Sequence, residues 1–159
     1  TDFLMLNQSD GADDQVSKWN DTAPTSSVFT VNTDTGVNQS TKKYIAYLFA
    51  SLSGISKVGS YSGSSSSNHI DVDCGFTNGA RFVLIKRTDA DLSSWYVWDS
   101  TRGINSGNDP FFLLNSDAAE VTNTDYIEPL AAGFKVGPSY GLPSALNASG
   151  GTYLFLAIA

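Results

Sequence analysis

Arg81-Phe-Val-Leu-Ile-Lys-Arg87 is the stretch on which the fold class turns. Four consecutive apolar side chains sit between charged ends. In an extended segment neighbouring side chains point to opposite faces, so both faces of this one are apolar. That pattern belongs to a central strand covered on both sides and wet at its tips. A second aromatic run, Trp95-Tyr-Val-Trp-Asp99, places Trp95 and Val97 on one face and Tyr96 and Trp98 on the other. Working outward, short β-branched and aromatic runs recur between clusters of Gly, Ser, Asn, Asp and Pro. Strands are expected at Phe3 to Asn7, Val28 to Asn32, Tyr44 to Ala50, Lys57 to Tyr61 and Ile70 to Asp73. Five more are expected at Arg81 to Arg87, Trp95 to Asp99, Phe111 to Asn115, Gly133 to Val136 and Thr152 to Ile158. The only competing helical stretch, Asp117 to Val121, is too short to change the class. Many short strands punctuated by turns predict an all-β chain, an antiparallel β-sandwich of jelly-roll or lectin-like type.

Composition narrows the function. The 159 residues hold 16 acidic and 9 basic side chains, a formal charge of -7 with no basic cluster, which argues against a nucleic-acid partner. Hydrophobic content of 41% supports a packed core, while no apolar run is long enough for membrane insertion. Cys74 is the sole cysteine and His69 the sole histidine, so disulfide frameworks and Cys-based zinc sites are excluded. The balance favours a binding or structural protein over an enzyme, without a cofactor.

An internal repeat sets the expected domain organisation. Leu4-Met-Leu-Asn7 matches Phe112-Leu-Leu-Asn115 at an offset of 108. Pro24 precedes Phe29-Thr-Val31 as Pro129 precedes Phe134-Lys-Val136, at an offset of 105. Asn38-Gln-Ser40 matches Asn147-Ala-Ser149, and Tyr44 to Ala50 matches Tyr153 to Ala159, both at 109. A module of about 109 residues follows. Residues 51–159 are then one complete module, and 1–50 the trailing half of a preceding one. A chain that opens on Phe3-Leu-Met-Leu6, as though inside a strand, is expected to be part of a longer protein. Ser60 to Ser67 reads as an exposed flexible loop.

Chemistry-bearing residues are few. Alternation separates Cys74 from His69, Asp71 and Asp73, so a thiol–imidazole pair does not form on that strand. The acids, among them Asp13-Asp14, Asp89, Asp91 and Asp109, stand beside Gly, Asn, Ser or Thr, where carboxylates cap turns. The Asp and Asn loops suit calcium in ligand type but lack a twelve-residue loop with its closing Glu, so no metal is expected. Trp95, Tyr61 and Tyr140 are the aromatics considered for stacking on a sugar, against the alternative that strand aromatics fill the core, which is favoured for Trp98 and, less strongly, for Trp95. Between matched anchors the first copy has six residues, Asn32 to Val37, and the second ten, Gly137 to Leu146, with two prolines and Tyr140. Such a stiff aromatic loop suits a binding surface as well as a neutral length variant.

Longer motifs carry a resemblance. Trp19-Asn-Asp-Thr-Ala-Pro-Thr-Ser-Ser-Val-Phe29, Tyr44-Ile-Ala-Tyr-Leu-Phe-Ala50, Phe82-Val-Leu-Ile-Lys-Arg87, Trp95-Tyr-Val-Trp-Asp-Ser100, Asn108-Asp-Pro-Phe111 and Tyr153-Leu-Phe-Leu-Ala-Ile-Ala159 resemble tandem modules of marine bacteriophage tail-fibre and virion structural proteins. The resemblance covers nearly the whole chain and implies a β-rich module on the virion tail, outside the cell. It supplies no catalytic or ligand residues. The expected partners are a bacterial surface receptor or glycan and other tail-protein subunits, with a homotrimer expected by analogy with fibres. The expected function is non-enzymatic, contributing to tail architecture and host attachment. The alternatives are a lectin-like module with a defined glycan pocket, a depolymerase fragment and a purely architectural spacer.

Overall fold

A computed structural model describes residues 2–64, 68–138 and 144–159. The chain divides into two compact units, Thr1–Leu4 with Ala12–Leu48 and Met5–Gly11 with Phe49–Ala159. The first unit holds strands β1 (Asp2–Phe3) and β2 (Asp13–Asp14), paired antiparallel, and helical turns α1 (Val16–Trp19) and α2 (Thr35–Asn38). Asn20 closes α1 in the left-handed conformation, and the Asp34 side chain accepts the Gly36 N–H at the start of α2. Lys18 pairs with Asp34 at 3.3 Å and lies over the Phe3 ring.

The second unit contains β3 (Ser56–Ser62), β4 (Ile70–Asp73), β5 (Phe82–Arg87), β6 (Trp95–Asp99), β7 (Phe112–Leu113), β8 (Ile127–Leu130), β9 (Gly133–Val136), helical turn α3 (Ser144–Asn147) and β10 (Thr152–Ile158). Five strands form one antiparallel sheet in the order β3-β10-β5-β6-β7, and three form another in the order β4-β9-β8. The central position expected for residues 81–87 is realised, since β5 pairs with β10 on one side and β6 on the other. Pro129 falls on β8, an edge strand, where the missing N–H costs no ladder bond.

One core joins the two sheets. Val83, Ile85, Tyr96, Trp98, Tyr153, Phe155 and Ala157 face Val72, Ile127, Phe134 and Val136. Phe134 meets Phe155 edge to face at 5.5 Å, and Tyr61 stacks on Tyr153 at 4.8 Å. The first contact links β9 to β10 across the two sheets, and the second links β10 to β3 within one. Gly59 stands opposite Phe155, and a Cβ there would lie 2.8 Å from the ring, which is why the position takes glycine. The all-β sandwich is therefore the observed class.

Three expected strands are corrected. Of Phe3 to Asn7 only Asp2–Phe3 pairs, and Val28 to Asn32 and Tyr44 to Ala50 form no strand. Extended apolar segments need a neighbour to take their N–H and C=O groups, and no ladder partner is present for them among the described residues. Phe111 to Asn115 contracts to Phe112–Leu113. Residues 117–121 are irregular, with Val121 bridging to Phe111 rather than turning into a helix. Ser60 to Ser62 are strand residues in register with Thr152 to Leu154, not loop, while Ser65 to Ser67 lie outside the described residues. Lys86, expected at a wet tip, is buried.

Truncating Phe155→Ala removes the ring that joins β10 to β9. Urea unfolding is expected to show a loss of about 3–5 kcal/mol, the range for a buried aromatic replaced by Ala.

Candidate functional site

The outward face of the five-stranded sheet is apolar and concave. Val58, Leu156 and Leu84 form one row across β3, β10 and β5, while Lys86 is flanked by Leu154 and Trp95 in the next. With Leu6, Phe49 and Phe155 they line a cavity of about 350 Å³. Trp95 is held in place by its backbone N–H, donated to Asn115 Oδ1 at 2.9 Å, and by its indole N–H, donated to the Met5 carbonyl at 3.0 Å. The recess has apolar walls, so it suits an apolar side chain or ring desolvated on entry. None of the eight residues that line it carries a charge.

Two buried ionisable groups flank this sheet. Lys86 donates from Nζ to the Ser93 carbonyl at 2.7 Å and the Ser9 carbonyl at 3.3 Å. Burial lowers its pKa, while Asp10 and Asp91 act in the opposite direction. The lysine thus fastens residues 9 and 93 to the top of β5. Asp109 does a similar job at the other end. Its carboxylate accepts the Tyr126 N–H at 3.0 Å and the Ile127 N–H at 3.1 Å, and its carbonyl accepts the Trp98 indole N–H at 3.2 Å. Burial pushes its pKa up to about 7, and the two backbone N–H groups limit the rise. On the surface, Arg87 grips Asp89 through two 3.0 Å bonds and holds its pKa down to about 2, while Thr152 N–H also donates to Asp89.

The residues singled out from sequence are dispersed. Tyr61 is a core residue whose hydroxyl donates to the Leu146 carbonyl at 2.8 Å. Trp95 is also buried, at the wall of the apolar recess. Tyr61 is enclosed in the core and Trp95 lines the recess on the outward face, each less than a tenth exposed. Tyr140 lies outside the described residues, as does most of the Gly137 to Leu146 loop. Trp98 is a core residue, as expected. His69 and Asp71 are exposed, whereas Cys74 is buried, with its thiol toward the Val72 carbonyl and its pKa pushed up to about 11, by burial first and Asp73 second. Among the described residues no group of three or more His, Cys, Asp or Glu side chains could hold a metal ion.

Sequence reasoning missed Lys86 and Asp109 as buried anchors. The signal for Lys86 was its place directly after Phe-Val-Leu-Ile in a central strand. For Asp109 it was a carboxylate next to Pro110 and the core residue Phe111.

Sheet order, core and recess together define an all-β antiparallel sandwich domain. The whole chain, residues 1–159, matches the domain of unknown function DUF7483, and the protein belongs to that family. No curated protein and no solved structure matches it.

A carboxyl whose folded pKa stands above its unfolded value of 3.8 keeps its proton longer in the native state. Asp109 therefore contributes most at acid pH, and its contribution falls as pH rises from about 4 to about 7, by roughly 1.4 kcal/mol per pKa unit of difference. Urea midpoints of the wild type and Asp109→Asn across this window should diverge in slope, with the variant the flatter. Parallel curves would remove Asp109 as the titrating group.

Proposed function

We propose that the chain is a non-enzymatic structural and adhesion module of a bacteriophage tail fibre or related tail appendage, acting in tail architecture and in attachment to a bacterial surface receptor or glycan. The observation that carries this reading is the run of exposed apolar side chains at Ile45, Tyr47 and Leu48. Exposed apolar clusters are surfaces for association, and the repeated modules of a tail protein are built by association of one repeat with the next. The internal use of Lys86, Cys74 and Asp109 supports the same view. Each is committed to backbone carbonyls or N–H groups, so its energy goes into holding loops. The likeness of the long motifs to marine phage tail modules supplies the biological setting. In that setting other tail subunits are the structural partners, and a threefold assembly would multiply weak contacts into avidity.

Immunogold labelling of particles of the encoding phage, with antibody raised against the purified chain, is expected to decorate the tail. Gold confined to the capsid, or absent from purified particles, would refute the assignment. Tyr140→Ala should lower binding of the purified chain to host cells at least ~10-fold, about 1.4 kcal/mol. Unchanged binding would assign the chain to architecture alone.

A further inference from the structure

The two halves matched by sequence also share local geometry. Phe3 pairs with Asp13 as Phe111 bridges to Val121, at the offset of 108. Thr25 N–H bonds to the Val28 carbonyl, closing a turn where Leu130 and Gly133 pair at the offset of 105. Turns α2 and α3 coincide at the offset of 109. The last residue of each then makes the same bond: Asn38 Nδ2 donates to the Asn32 carbonyl and Asn147 Nδ2 to the Gly137 carbonyl, both at 2.8 Å. One residue on, Gln39 N–H donates to the Tyr44 hydroxyl at 2.9 Å, and Ala148 N–H to the Tyr153 hydroxyl at 2.7 Å. Thr41 (φ 68°) and Gly150 (φ 72°) both turn left-handed at matched positions, although threonine adopts that region at a cost.

Surroundings differ where local geometry agrees. Phe134, Tyr153 and Ala157 are wholly buried, whereas their counterparts Phe29, Tyr44 and Leu48 are 42%, 48% and 76% exposed. In the second unit, β10 is covered because β3 flanks it over seven residues and β5 over six. Residues 44–50 match β10 but have no such flanking strands among the described residues.

We propose that Tyr44–Ala50 is a strand-donating segment. It takes the position of β10 in a further sandwich, between two antiparallel strands patterned like β3 and β5. Those strands come from another first half of the same repeat, a segment patterned like residues 51–110 and lying ahead of Phe3 in the polypeptide. The assignment stands on the repeat geometry and is independent of a tail setting. A second copy of the chain is the weaker occupant, because its β3 and β5 are already joined to β10 and would have to release it. Side-chain volume adds a specificity rule. β10 presents Phe155 and Ala157 to its core, while the matching positions present Ala46 and Leu48. Where β3 carries Gly59 to admit the Phe155 ring, the strand facing Ala46 has room for a larger side chain.

The test places residues 51–110 of this chain ahead of Phe3, in one version unchanged and in a second with Gly59→Leu in the added copy only. Hydrogen exchange is followed by mass spectrometry, and mass by sedimentation. In the chain alone, peptides covering residues 44–50 should exchange without protection. In the extended chain they should slow ~100-fold or more, and the Gly59→Leu version should be the better protected. Protection of the added copy's own strands without protection of 44–50 would overturn the proposal. So would failure of both versions to protect either segment, because the two halves would then not complete each other. Concentration-dependent dimerisation of the chain alone, with 44–50 protected in the dimer, would also overturn it in favour of a second copy.

Discussion

The second unit depends on β10 being held between β3 and β5. This last strand pairs over seven residues with β3 and over six with β5, and it carries the rings that stack on Tyr61 and meet Phe134. Its neighbours are distant in sequence, so the ladder closes long loops before it returns any burial. Such closure is entropically costly, and a strand apolar on both faces offsets the cost by burying area on each. The outward face of the same strand, with Leu154 and Leu156, forms the floor of the apolar recess. Core and candidate binding surface are thus two sides of one element.

Ionisable groups enter this design as fasteners. Lys86 at one end of the sheet and Asp109 at the other are both wholly buried, and both satisfy themselves on backbone rather than on an opposite charge. Burial disfavours each charge, so each shifts toward its neutral form, Lys86 against the opposing pull of Asp10 and Asp91. What is gained is position: residues 9 and 93 are tied to the Lys86 side chain at one corner, and 126 and 127 to the Asp109 side chain at the other.

Much of the second unit could be read from the chain. Ile70–Asp73, Trp95–Asp99, Gly133–Val136 and Thr152–Ile158 fall where alternation and turn residues place them, and β5 is central because its middle is apolar on both faces. Strand β8 was harder to see because Pro129 interrupts its pattern, and only an edge position tolerates that. Little of the candidate site was legible. Trp95 and Tyr61 read as sugar platform or core residue alike because an aromatic in a strand has the same local pattern whether it is open or covered. Lys86 looked like a solvated tip for the same reason.

Residues 44–50 and 153–159 state the division most sharply. Sequence alone determined that both are apolar, strand-forming and matched, because side-chain chemistry and period are local properties. Only the tertiary structure decided that one is a buried strand and the other an exposed segment. A strand is completed by hydrogen bonds to a neighbour, and whether a neighbour is present is not a property of the segment itself.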